Sequence, residues 1–202
     1  MIRPQLEEFM RRMTAKSIAI IPAAREATRS NDTHYRFRQD SDFFYLTGFE
    51  EPEAIAVIKR DEESHYTLFV RPRDPEREIW DGRRAGVEGA KKDFGANESF
   101  PIVAFDEKLQ NLLDGADTLY YRLGVNRDLD DTIVREISRM RAMNRKPIHP
   151  PQIIVDPATI IHEMRVLKSA DELELMISSG SAPTEMNLTA PRRSIRNDIG
   201  ME

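Results

Sequence analysis

Short apolar runs, each closed by a turn residue, alternate along this chain with segments whose apolar residues recur every three or four positions. That alternation constrains the fold more than any other feature. Residues 17–21, 54–58, 65–70, 101–105, 118–123 and 153–155 are too brief for stable helices and read as buried strands. Between them lie helical patterns. Leu6, Phe9, Met10 and Met13 share one face, with Pro4 suited to a first turn. Val87, Ala90 and Phe94 share another, weakened by Gly86 and Gly89. Asp106 is placed to cap a helix carrying Leu109, Leu112 and Leu113 inward, and Asp128 one carrying Leu129, Ile133, Ile137 and Met140. Asp156-Pro157 opens a further helix that turns Ile160, Ile161, Met164 and Leu167 inward. Strands alternating with helices predict an α/β architecture of packed layers. No internal repeat is visible.

The stretch from Tyr35 to Trp80 makes the predicted sheet mixed. Phe43-Phe44-Tyr45-Leu46 reads as an aromatic strand, because flat bulky side chains suit a half-buried pleated surface. Thr47-Gly48 stops it and Glu51-Pro52 turns the chain into the next run. Strands joined so closely are expected to be antiparallel neighbours, since a parallel pair needs a long crossover. Residues 23–34 are polar and predict a loop at a domain face. Residues 71–75 contain two prolines and are expected to be irregular.

Composition excludes several classes. A chain of 202 residues suits one domain, or one domain and a tail. With no cysteine there is no disulfide, no thiolate metal site and no cysteine nucleophile. The net charge of −5 argues against a nucleic-acid binder, which normally carries a basic face. No apolar run approaches the roughly 20 residues of a membrane helix. Arg3, Glu7, Glu8, Arg11 and Arg12 stand where a secretion signal needs its apolar core, so the cytoplasm is expected.

Residue patterns for chemistry are weak. His162-Glu163 opens like a zinc-protease helix, but Val166 stands where the second His is required. Asp40-Ser41-Asp42 and Asp128-Leu129-Asp130-Asp131 have neither the Gly nor the distal Glu of a calcium loop, and read as turns and caps. Gly82, Gly86 and Gly89 lack dinucleotide-binding spacing. There is no Gly-x-Ser-x-Gly elbow. Neither catalytic residues nor metal ligands are assigned. Trp80, the only tryptophan, reads as a half-buried anchor. Ser169 and Glu172 form a capping box, followed by Leu173, Leu175, Met176 and Ile177. Residues 178–183 are expected to stop that helix. Residues 178–202 have little to bury and predict disorder.

The string Arg38-Gln39-Asp40-Ser41-Asp42-Phe43-Phe44-Tyr45-Leu46-Thr47-Gly48-Phe49, followed by Glu51-Pro52-Glu53-Ala54, resembles the N-terminal domain of the Xaa-Pro aminopeptidase (aminopeptidase P) family. Glu78-Ile79-Trp80 with Gly82-Arg83-Arg84 fits the same family, as does His162-Glu163-Met164-Arg165 with Lys168-Ser169 and Glu172-Leu173. The resemblance runs from about Leu6 to Met176. It implies a mixed sheet flanked by helices on both faces, like the creatinase and prolidase N-terminal domains. It divides the chain into that domain (1–168), the start of a linker helix (169–177) and the tail. It implies that metals and chemistry belong to a separate C-terminal domain. That family uses two divalent ions, typically manganese, and none of its ligands maps onto this chain. The role implied here is non-catalytic: self-association and restriction of access to a peptide site. Trp80 then becomes a wall of a neighbouring subunit's substrate site, with Asp32 and Arg36 in the matching polar loop. The alternatives are the N-terminal domain of a prolidase or creatinase relative, or a stand-alone protein-interaction module.

Overall fold

A computed structural model describes residues 2–62, 64–143 and 147–180. The described residues divide into two units, one up to Met164 and one from Arg165 onward. The strands in chain order are β1 (Ser17–Pro22), β2 (Thr28–Ser30), β3 (Thr33–His34), β4 (Ile55–Arg60), β5 (Ser64–Val70), β6 (Glu98–Pro101), β7 (Thr118–Tyr120) and β8 (Ile153–Val155). The helices are α1 (Pro4–Arg12), α2 (Ser41–Thr47), α3 (Pro75–Asp81), α4 (Gly86–Phe94), α5 (Phe105–Leu113), α6 (Arg127–Ala142), α7 (Ala158–Val166) and α8 (Ala170–Gly180).

Six strands form one mixed sheet in the order β6-β5-β4-β1-β7-β8. β4 is antiparallel to both β1 and β5. The pairs β1–β7, β5–β6 and β7–β8 are parallel. Parallel neighbours need crossovers, and α4 supplies one between β5 and β6, α6 another between β7 and β8. Both faces are covered, and the side-chain alternation of the strands shows it. Ile18, Ile20, Val57 and Leu119 join the α5 and α6 residues Phe105, Leu109, Ile133 and Ile137. Ala19, Ile21, Ala56 and Ile58 join α1, α2, α4 and α7 through Phe9, Phe43, Ala90 and Ile161. Each fully buried Val, Leu, Ile or Phe among them contributes roughly 1.5–3 kcal/mol relative to exposure. The expected architecture, a mixed sheet with helices on both faces, is the observed one.

Several local expectations are corrected. Residues 43–46 are not a strand but the body of α2. Asp40 overrides aromatic β-propensity by accepting hydrogen bonds from the N–H groups of Asp42 (3.0 Å) and Phe43 (2.8 Å), which starts a helix. Gly48, at φ +68°, ends it in the left-handed conformation that glycine adopts most cheaply. The antiparallel hairpin is therefore β4–β5. Residues 23–34 are not all loop: β2 and β3 pair as a small exposed hairpin. Residues 71–74 are irregular as expected, but Pro75 opens α3, with Asp74 as its cap.

The strand expected at 101–105 lies at Glu98–Pro101, followed by one 3₁₀ turn and α5. Asp106 sits in the first turn of α5 and does not cap it. Asn126, not Asp128, caps α6 through the N–H of Leu129 (3.3 Å). β7 is shorter than the expected 118–123. Leu167 is exposed, because α7 ends at Val166 and its inward face stops with Met164. The capping box is formed reciprocally: Ser169 N–H donates to Glu172 (2.8 Å), and Glu172 N–H donates to Ser169 Oγ (3.2 Å). The helix it starts runs to Gly180, into the 178–183 segment expected to stop it, so residues 178–180 are helical and not disordered. The rest of the tail expectation, 181–202, lies outside the described residues.

Candidate functional site

The Gln39-Asp40-Ser41-Asp42 string is held by its own hydrogen bonds. Gln39 is a hub between two connections. Its Oε1 accepts from the N–H of Ala24 (2.7 Å) and of Asp40 (2.9 Å), and its Nε2 donates to the carbonyls of Phe49 (3.2 Å) and Glu51 (2.8 Å). Asp42, a buried carboxylate, receives Arg122 Nη2 at 3.2 Å and lies 3.4 Å from His162 Nε2. Arg122 also bonds Asp156 (3.1 Å), whose Oδ1 accepts from the N–H of Ala158 at the start of α7. One ionic cluster therefore joins α2, the segment just after β7 and α7. Arg122 was not singled out from the sequence, and nothing near it could have done so: its partners lie 80 and 34 residues away.

The carboxyl ends of all the sheet strands except β4 point the same way, and this is where open α/β sheets place ligand crevices. Here two cavities of about 370 and 600 Å³ lie side by side. They share Pro22, Ala23, Arg25, Asn126 and Asp128. An ion pair between Arg25 Nη1 and Asp128 Oδ2, 2.7 Å long, marks their common wall. Glu53 and Asp106 line the smaller cavity, above Ile55, Phe105 and Leu129. Arg38, Arg127 and Asp40 line the larger.

The three residues implied by resemblance lie elsewhere. Asp32 and Arg36 are exposed, one in the β2–β3 turn and one just beyond β3. Trp80 is on α3 and is 87 % exposed, beside Ile79 at 78 %. The half-buried anchor is thus corrected. Arg73 holds α3 from outside, through Glu78 (2.8 and 3.0 Å), so the helix stands without its tryptophan being buried. Among the described residues, no hydrogen bond, ion pair or ring contact joins Trp80 to Asp32 or Arg36.

The described residues do not fit a metal centre: no group of three or more His, Cys, Asp or Glu is placed to hold an ion. His162 faces Asp42, and its helix offers no second histidine. Nor is any described helix long and apolar enough to cross a membrane.

Against known proteins, residues 3–120 match the profile described as "Aminopeptidase P, N-terminal domain". The Xaa-Pro aminopeptidase of Escherichia coli is 36 % identical over 183 residues, covering 86 % of this chain and 42 % of that protein. That of Haemophilus influenzae is 35 % identical over 96 % of this chain and 46 % of its own length. Among solved structures, Pseudomonas aeruginosa aminopeptidase PepP superposes with TM-score 0.80 at 43 % identity, over 85 % of this chain and 39 % of that one. The chain thus spans less than half the length of these relatives.

Proposed function

The chain belongs to the aminopeptidase P N-terminal domain family, and from that premise we propose that it is the non-catalytic N-terminal part of an Xaa-Pro aminopeptidase. Its role is to assemble subunits and to narrow access to a peptide site. The full enzyme would remove the first residue from peptides whose second residue is proline. Its pair of divalent ions, manganese by preference, would be held by residues outside the portion matched here. A cytoplasmic location is part of this proposal.

The observation that carries this role is the exposure of Trp80 and Ile79 on α3. Large apolar side chains left in water beside each other mark contact surfaces, and aromatic residues are enriched at the centres of such contacts. Asp32, in the β2–β3 turn, and Arg36, just beyond β3, are exposed polar residues that this reading assigns to the same role. Boundaries follow accordingly, with residues 1–168 as the domain and 169–177 as the start of a connecting helix.

Manganese binding by calorimetry and turnover of an Xaa-Pro-Xaa tripeptide, measured on one preparation of this chain, test the assignment. The expected result is a cooperative melt whose midpoint manganese does not move, with no turnover. A ligand stabilises only a state that binds it. Tight binding of two ions, or turnover that survives further purification, contradicts the assignment.

A further inference from the structure

We propose that the crevice at the carboxyl end of the sheet binds a small zwitterion: an ammonium at one end, a carboxylate at the other and an apolar segment between. This does not rest on the function proposed above, since every residue involved belongs to this chain. The smaller cavity, about 370 Å³, falls within the range of small-molecule sites. Its apolar floor of Ile55, Phe105 and Leu129 is buried. Its charged walls are Glu53 and Asp106, besides the shared Arg25–Asp128 pair. The adjoining cavity has the opposite character. Arg38 and Arg127 line it, and the Oδ1 of its Asp40 is taken by two N–H groups of α2.

Among the described residues, no side-chain hydrogen bond or ion pair engages Glu53, Asp106, Arg38 or Arg127. Two anionic groups and two cationic groups therefore face one crevice from its two ends, and the 2.7 Å ion pair between Arg25 and Asp128 marks where the sign changes. A plain cation would leave the arginines unmatched, and a plain anion the carboxylates. A dipolar ligand matches both and covers the apolar floor. The backbone helps to fix the acidic end. Glu53 is held at φ +57°, a region sparsely occupied by residues other than glycine, by a bond from its N–H to the carbonyl of Ala24 (3.2 Å).

The ligand chemistry has two sources, a free ω-amino acid and a short unblocked peptide. 6-Aminohexanoate and the dipeptide Leu-Leu stand for them. Amide shifts of the isotopically labelled full chain, titrated with each, should saturate and map to Ile55, Phe105 and Leu129. Saturation by only one compound identifies the source. Acetylating the amine or esterifying the carboxylate should each weaken binding about fivefold, the upper range for an exposed charge pair. In the variant Glu53→Gln with Asp106→Asn, acetylation should cost nothing further. In Arg38→Gln with Arg127→Gln, esterification should cost nothing further. Equal binding of the blocked compounds overturns the proposal, as does the lack of a saturable shift with either compound at tens of millimolar. The blocked compounds are tested on the unaltered chain, so that result stands whether or not a variant folds.

Discussion

The carboxyl end of the sheet and helix α3 treat their conspicuous side chains in opposite ways. At the sheet end Gln39, Asp42 and Arg122 each find several partners, within one unit of the chain. On α3, Trp80 and Ile79 stand in water on a helix that Arg73 holds by its other face. The family string read most easily in the sequence is thus largely a set of structural devices. The lone tryptophan, which composition would bury, stands exposed, as the proposed contact surface requires.

Substitutions should separate the two regions by stability. Gln39→Leu has the largest expected effect, since it strands the N–H of Ala24 and the carbonyls of Phe49 and Glu51. We expect a loss of about 3 kcal/mol in urea denaturation. Gly48→Ala comes next, at about 2 kcal/mol, because φ +68° disfavours a Cβ that would also meet the Arg3 guanidinium. Asp42→Asn should cost about 1–2 kcal/mol by leaving Arg122 with half its carboxylates. If all three were neutral, the sheet end would not be the structural region described.

Smaller effects probe the surface. Hydrogen bonds from Arg11 and Arg12 hold the Glu8 carboxyl at about 2, below its ordinary 4.5. Its contribution to folding is therefore present above pH 4.5 and lost as pH falls toward 2. Carboxyl NMR titration of Glu8 checks this, and a midpoint near 4.5 would mean the two bonds do not persist in solution. Trp80→Ala should change stability least, by less than about 0.5 kcal/mol, as expected for an exposed side chain.

What the sequence disclosed follows the same division. The sheet and its two covering layers were legible because apolar period is a local signal, and Ile18 to Ile21 alternate between faces as a doubly covered strand must. Residues 43–46 misled because their aromatic composition favours a strand. The outcome there was decided by Asp40, just upstream, and Gly48, just downstream. Caps slipped by two residues at Asn126, where Asn and Asp are near-equal candidates. The candidate crevice was not legible at all. Arg25 and Asp128 meet across 103 residues, and no local pattern encodes that distance.

Because Trp80 is the only tryptophan, its fluorescence reports the proposed contact surface directly. Emission should be measured from micromolar to millimolar protein, alongside sedimentation. The account predicts water-like emission in the dilute monomer, a blue shift that rises with the associated fraction, and no association in Trp80→Ala despite an unchanged melt. A strict monomer at millimolar concentration, or association that leaves the emission unshifted, would contradict it.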